Sequence, residues 1–388
     1  MRCLLFILLA FTFATSATAT PAPYLLAFKA YQETKTAGDM VAAEAHAERA
    51  WRLAEEDEDA SPNEIALLVQ NYLLHAIKTN PTGALPVAER ALELHEQGFG
   101  TDNFTAPELK LARAYAISQR KPGRKSSYDG VLDIIAGFGP NELPATLFSV
   151  DLALMAAGAA GSAQHYKAMS ASADHIIVAM KDAPIRPNHT LVTGYLLKSV
   201  AHFMGTKTPT SLEDRNTKKR LEHIYDVHIL LHHAKNQFDP QESIRSFDPL
   251  LAQTMAWQSL MRAFLLSYDA EMPENHRFMG LEHPDTEGPI LRSQCPRYTP
   301  KKWLKQKEPR YPKNSLYKDQ PGAAIIGFDL SPDGSVVDPI ILAEVPAAAF
   351  GKNIVEAIKH WKADISSTPP ACMTNLLMTF TFAIDPNS

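Results

Sequence analysis

The sequence predicts an α+β multidomain protein in which an all-α helical solenoid precedes a small ββαβ domain. Three observations predict it. The apolar period is helical, and partly repeated, from Pro21 to about Met272; a stretch rich in proline and charge, without apolar period, runs from Asn275 to Lys307; the period then becomes two. The expected divisions are residues 1–19 for an export signal, 20–272 for the helical repeats, 273–307 for a linker or lead-in, and 308–388 for the C-terminal domain.

The first segment has the three parts of a cleavable secretory signal: a positive charge at Arg2, an apolar run from Leu4 to Phe13, and small residues ending Ala17-Thr18-Ala19. Cleavage is expected between Ala19 and Thr20. The apolar run is about a dozen residues, below the roughly 20 that a spanning helix needs. The expected location is therefore periplasmic, with no stable membrane span after cleavage.

In the helical region Tyr31, Ala43 and Glu48-Arg49-Ala50 recur as Tyr72, Ala84 and Glu89-Arg90-Ala91, all displaced by 41 positions. Alanines seven apart, Ala43 with Ala50 and Ala84 with Ala91, lie two turns along one helix, where a small side chain lets a neighbour approach closely. This pattern resembles the tetratricopeptide repeat with a lengthened period, clearly for two copies. Beyond them helices are expected over Glu108–Ser118, Ser127–Ile135, Pro144–Met155, Ser162–Met180, Leu191–Met204, Leu212–His233 and Pro249–Leu266 on rhythm alone. Ser61-Pro62-Asn63-Glu64 and Thr105-Ala106-Pro107-Glu108 have the capping-box form that starts a helix. Such arrays often bind an extended peptide or another protein, and a purely architectural spacer is the alternative. The acidic run Glu55 to Asp59 reads as a solvated loop.

In the C-terminal domain Ala324, Ile326, Phe328 and Leu330 alternate with Ile325, Gly327, Asp329 and Ser331, which puts one apolar row on a strand face. Pro332-Asp333-Gly334 signals a hairpin turn, and Val336–Leu342 the returning strand. Phe350, Ile354, Ile358 and Trp361 recur at helical spacing. Leu376, Met378, Phe380, Phe382 and Ile384 then alternate with Leu377, Thr379, Thr381 and Ala383 in a last strand.

The order and spacing of Pro309-Arg310-Tyr311-Pro312, the strand entered near Gly322, the Pro-Asp-Gly hairpin, Val345-Pro346 before Phe350, the helix ending at Trp361 and the closing Phe380-Thr381-Phe382 resemble the TonB C-terminal domain family, over roughly 300–385. The resemblance implies a protein-binding module outside the cytoplasmic membrane, associated with TonB-linked outer-membrane transport. Its final strand edge would pair with an extended segment of a partner, the periplasmic segment of an outer-membrane TonB-dependent receptor. Carried over by position, the partner-binding residues would be Arg310, Tyr311, Thr374, Leu376, Met378, Phe380 and Phe382, with core packing the competing reading for Tyr311 and Phe380. The energy transducers of that family keep a membrane anchor and a proline-rich spacer, where this chain has a signal-like segment and helical repeats. A tethered transducer with an uncleaved N-terminus is the alternative.

Cys295 and Cys372 remain after export, in a compartment where disulfides persist. Pairing them would close a loop of roughly 75 to 80 residues, worth about 4 to 5 kcal/mol in the chain-entropy account; two free thiols are the alternative.

A net charge of −5 gives nucleic acid no polycationic field, so no nucleic-acid partner is expected. His223, His228, His232 and His233 share one helix with Asp226, and His228 and His232 lie four apart. A metal-dependent hydrolase using that helix is the reading from another class, but the glutamate of the metalloprotease motif is missing. The sequence holds no nucleophile elbow, phosphate loop or dinucleotide fingerprint. It is read as a non-enzyme without cofactor or metal.

Overall fold

The computed structural model describes residues 21–137, 146–183, 188–205, 217–238, 248–267, 303–316, 321–366 and 368–382. The expected signal, its Ala19–Thr20 cleavage site, Cys295 and the end of the last strand at Ile384 lie outside the described residues. The chain divides after Ala183 into two compact units.

The first unit is helical: α1 (Pro23–Thr36), α2 (Met40–Glu55), α3 (Pro62–Thr79), α4 (Leu85–Glu96), α5 (Ala106–Gln119), α6 (Asp129–Gly137), α7 (Leu147–Ser162) and α8 (Tyr166–Met180). Each of α1 to α5 packs on its successor; α5 also meets α7, α6 meets α8, and α7 pairs with α8. The small-residue rule explains the close stacking: Ala43, Ala50, Ala84 and Ala91 are all 0% exposed. Tyr31 is buried against Phe28 and the edge of His75, and Tyr72 stacks on Trp51.

Both capping boxes form, and each carboxylate also ties a neighbouring helix. Glu64 accepts from the Ser61 backbone N–H (2.9 Å) and hydroxyl (2.7 Å), and its other oxygen accepts from Tyr24 of α1 (3.1 Å). Glu108, 1% exposed, accepts from the Thr105 N–H (2.8 Å) and hydroxyl (2.9 Å) and from the hydroxyl of Thr146, which itself caps α7. The helix expected over Ser162–Met180 forms as α8 and starts at Tyr166, because α7 runs on to Ser162. Gln164 takes φ 58°, which ends α7, and the His165 ring accepts from the Ala168 N–H to start α8.

The second unit joins α9 (His189–Gly205), α10 (Thr217–Lys235) and α11 (Pro249–Ser267) to the sheet. The sheet consists of β2 (Gly322–Leu330), β3 (Val336–Val345) and β5 (Leu376–Phe382), antiparallel in the order β3-β2-β5. A two-stranded ribbon pairs β1 (Trp303–Lys305) with β4 (Lys362–Ala363), and two further helices, α12 (Lys313–Leu316) and α13 (Gly351–Ile358), belong to the unit.

The three last helices of the region expected as repeats thus share a core with the sheet. Ala323 and Ile325 of β2 and Ala343 and Val345 of β3 pack with Ala252, Ala256, Leu260 and Met261 of α11 and with Val227 and Leu231 of α10. Ala324, Ile326, Phe328 and Leu330 point the other way, onto Phe350, Ile354 and Ile358 at α13 and onto Trp361. β2 is therefore covered on both faces, which explains why Ile325 interrupts the simple alternation of its sequence. Each large side chain taken from water on these two faces contributes about 1.5 to 3 kcal/mol to this unit's cohesion.

The segment before the sheet is stitched down as well. Trp303 meets Trp361 at 4.8 Å, and the Trp361 indole N–H donates to the Lys307 carbonyl (2.7 Å). The Pro-Asp-Gly turn forms with Gly334 at φ 85°, and a Cβ there would fall 2.2 Å from the Ala363 carbonyl oxygen. Asp333 accepts from Ser331, Lys362 and Ser335, which together hold its carboxyl well below the usual range.

Candidate functional site

A sheet offers a partner two margins, and here they differ. β3 carries Pro339, which has no N–H to donate, beside Asp338 at φ 48°. Its pairing with β2 slips between Ile325 and Ile326 and again between Gly327 and Asp329. Proline and bulges of this kind blunt an edge against further pairing.

β5 pairs with β2 in unbroken register from Gly322↔Phe382 to Phe328↔Leu376. It has no proline, and its Thr, Met and Phe residues suit a pleated, half-buried surface. Two hydrogen bonds fix the register at its entry: the Asn375 N–H donates to Asp329 (2.6 Å) and the Leu330 N–H to the Met373 carbonyl (2.7 Å). Among the described residues no strand pairs with the outer margin of β5.

Side chains along β5 divide between two environments. Leu376 is 2% exposed and belongs to the core, so its side chain offers a partner little. Met378, Phe380 and Phe382 are half-buried on the α13 side, where Phe382 meets Phe350 at 4.9 Å and Phe380 meets Trp361 at 5.8 Å. Tyr311 packs edge-on against both Phe350 (5.7 Å) and Phe382 (5.4 Å). The structure thereby brings Tyr311 to the last strand, as a packed and still partly accessible ring. Arg310 is exposed, and its carbonyl accepts from the Asn353 side chain (3.0 Å). Thr374 is exposed just before β5 begins.

Residues 307–371 match the family model described as Gram-negative bacterial TonB protein C-terminal. The C-terminal domain is a TonB C-terminal domain. The match ends before Leu376, so the place of β5 in this TonB C-terminal domain rests on its pairing with β2. Domains of this family are protein-interaction modules of the cell envelope. No curated protein matches the chain.

Alternation sets Thr379 and Thr381 apart from the aromatic row but misses one feature of the site, the anchoring of Leu377. Thr379 and Thr381 are exposed, on the face opposite the aromatic row. Leu377 lies on that same face and is held by the helical layer, packing with Val192 of α9, Ala234 and Phe238 of the α10 end, and Leu251 of α11. A leucine where the alternation calls for a polar residue was the available signal.

Cys372 is 3% exposed. The histidine helix is α10, and among the described residues no three His, Cys, Asp or Glu side chains group closely enough to hold a metal ion. No helix of the described residues is long and apolar enough to cross a membrane.

Proposed function

We propose that this is an exported, periplasmic interaction protein whose TonB C-terminal domain captures an extended protein segment by strand addition at β5, in association with TonB-linked outer-membrane transport. The observation that carries the reading is the difference between the margins, one bent by Pro339 and two register shifts, the other straight and continuous. Backbone N–H and C=O groups on a straight edge give affinity to any extended chain, and side-chain pockets select among them. On the aromatic side a partner strand would lay apolar residues beside Phe380 and Phe382; on the other it would meet Thr379 and Thr381. The periplasmic segment of an outer-membrane TonB-dependent receptor fits this chemistry. The reading includes removal of residues 1–19, a tetratricopeptide-like array that positions the domain or binds in its own right, and a disulfide joining Cys295 to the buried Cys372.

The test is capture of a synthetic peptide of such a receptor segment by the full chain. Thr379→Pro removes a backbone donor from β5 and should abolish capture with unchanged circular dichroism. Should that variant lose its fold, a photo-reactive residue at Thr381 or at Ile340 reports on each margin separately. Cross-linking from position 381 and none from 340 supports the reading; the reverse, or capture surviving in folded Thr379→Pro, rejects it.

A further inference from the structure

Helix α10 carries a row of histidines against its neighbours α9 and α11 in the layer that covers the sheet. The Nδ1 atoms of His223, His228 and His232 are buried and have no hydrogen-bond partner among the described residues, and neither does the side-chain amide nitrogen of Gln258 on α11. The His228 ring hydrogen-bonds the backbone of Gln258, so it spans the two helices through its other nitrogen. A neutral imidazole tolerates a lone pair without a donor. Charging it puts a second N–H where nothing accepts it, at the cost of a buried, unsatisfied and charged donor.

The Gln258 backbone favours a charged ring in part, but burial and the neighbouring cations outweigh it. On its own helix His228 faces His232 and Lys235, and on α11 it faces Arg262, all repulsive to a positive ring. The Tyr225 ring stacks beside it at 6.4 Å. From α9, His202 approaches His223 at 6.5 Å, and Tyr195 lies on His233 at 5.9 Å. Asp226 is two residues away, a spacing that turns side chains to different sides of a helix. Burial first, and these cations second, push the His228 ring down to about 4 from its ordinary 6.5.

We infer that His228 is an acid-sensitive latch: when its ring is charged, α10 parts from α11, and the helical layer loosens from the sheet face formed by Ala323, Ile325, Ala343 and Val345. The sign follows from linkage. A histidine depressed in the folded state contributes stability that is present above about pH 6.5 and lost as pH falls toward 4. In a compartment open to the medium the strand anchored by Leu377 would feel that loosening, because Leu377 packs on the same helical layer. The inference stands whether or not β5 binds a partner.

Hydrogen exchange of the full chain at pH 7 and pH 5, corrected for intrinsic exchange, tests it. In the wild type, peptides of α10 and α11 should lose protection by up to about tenfold per pH unit below 6.5, the limit for uptake of one proton. His228→Gln should flatten that dependence, while α1–α8 report any global effect. Equal protection at both pH values in the wild type, or the same loss in His228→Gln, overturns the latch. If the variant does not fold, a proton NMR titration of His228 in the wild type decides: no titration down to pH 5 supports the inference, and an ordinary midpoint near 6.5 overturns it.

Discussion

Gly322 lies flat beneath the ring of Phe350: a Cβ on Gly322 would stand 2.0 Å from Phe350 Cε2 and 2.4 Å from Cδ2. Phe350 is 0% exposed and contacts both Tyr311 and Phe382, so this one backbone position sets how the helix side of the sheet meets its last strand.

Gly322→Ala should therefore destabilise the second unit by about 1 to 3 kcal/mol, the usual cost of overpacking a filled core. A urea titration followed by tryptophan fluorescence checks it, since Trp361 and Trp303 stand in the same cluster. An unchanged midpoint would mean that Phe350 moves aside without loss.

Glu344 of β3 accepts from the N–H groups of Phe350 (2.8 Å) and Gly351 (2.6 Å), a carboxylate placed on the first turn of α13. Glu344→Ala should cost about 1 to 2 kcal/mol by orphaning those donors, and Glu344→Gln less, because it keeps an acceptor but not the charge. The two urea midpoints should fall in that order.

The two capping boxes should differ in the same way. Ser61→Ala removes an exposed cap and is expected to cost about 1 kcal/mol. Glu108→Ala leaves three donors, two on Thr105 and one on Thr146, without their acceptor in a partly buried site, where an unsatisfied group costs up to roughly 1 to 3 kcal/mol. Thermal unfolding of the two variants should rank Glu108→Ala as the more damaging by several degrees at least.

Tyr24 gives a test at alkaline pH. Burial, then its hydrogen bond to Glu64, push its phenol up to about 12 from 10.0. A phenol raised in the folded state contributes stability below about pH 10 that is lost as pH rises toward 12. Burial also raises Tyr72, Tyr115, Tyr128, Tyr195 and Tyr225, so ultraviolet titration should show a group of late-ionising tyrosines that is smaller by one in Tyr24→Phe.

Local signals were legible in the sequence. The capping residues, the Pro-Asp-Gly turn and the period-two strands act over a few positions, and the structure forms them within a few residues of where the pattern places them. Non-local packing was not. α9, α10 and α11 have the same helical rhythm as α1–α8, yet the second unit takes them up, because Ile325 and Val345 need an apolar cover that only a tertiary contact reveals. Trp303 fell inside the expected linker, since a three-residue strand paired to Lys362 and Ala363 leaves no periodic trace. At the candidate site the apolar row of the last strand could be read directly. The blunting of the opposite margin was legible only through Pro339, because Asp338 at positive φ and the two slips in register are properties of the pairing rather than of any residue type.

That asymmetry sets the valency of the sheet. With β3 blunted and β5 straight, strand pairing would extend this three-stranded sheet on its β5 side alone, so among the described residues a chain engaged through β5 would offer no second growing end on that sheet. Two copies meeting edge to edge would close on each other and stop. On the proposed reading such a sheet would capture one strand without propagating, unlike sheets that stack without limit into fibres.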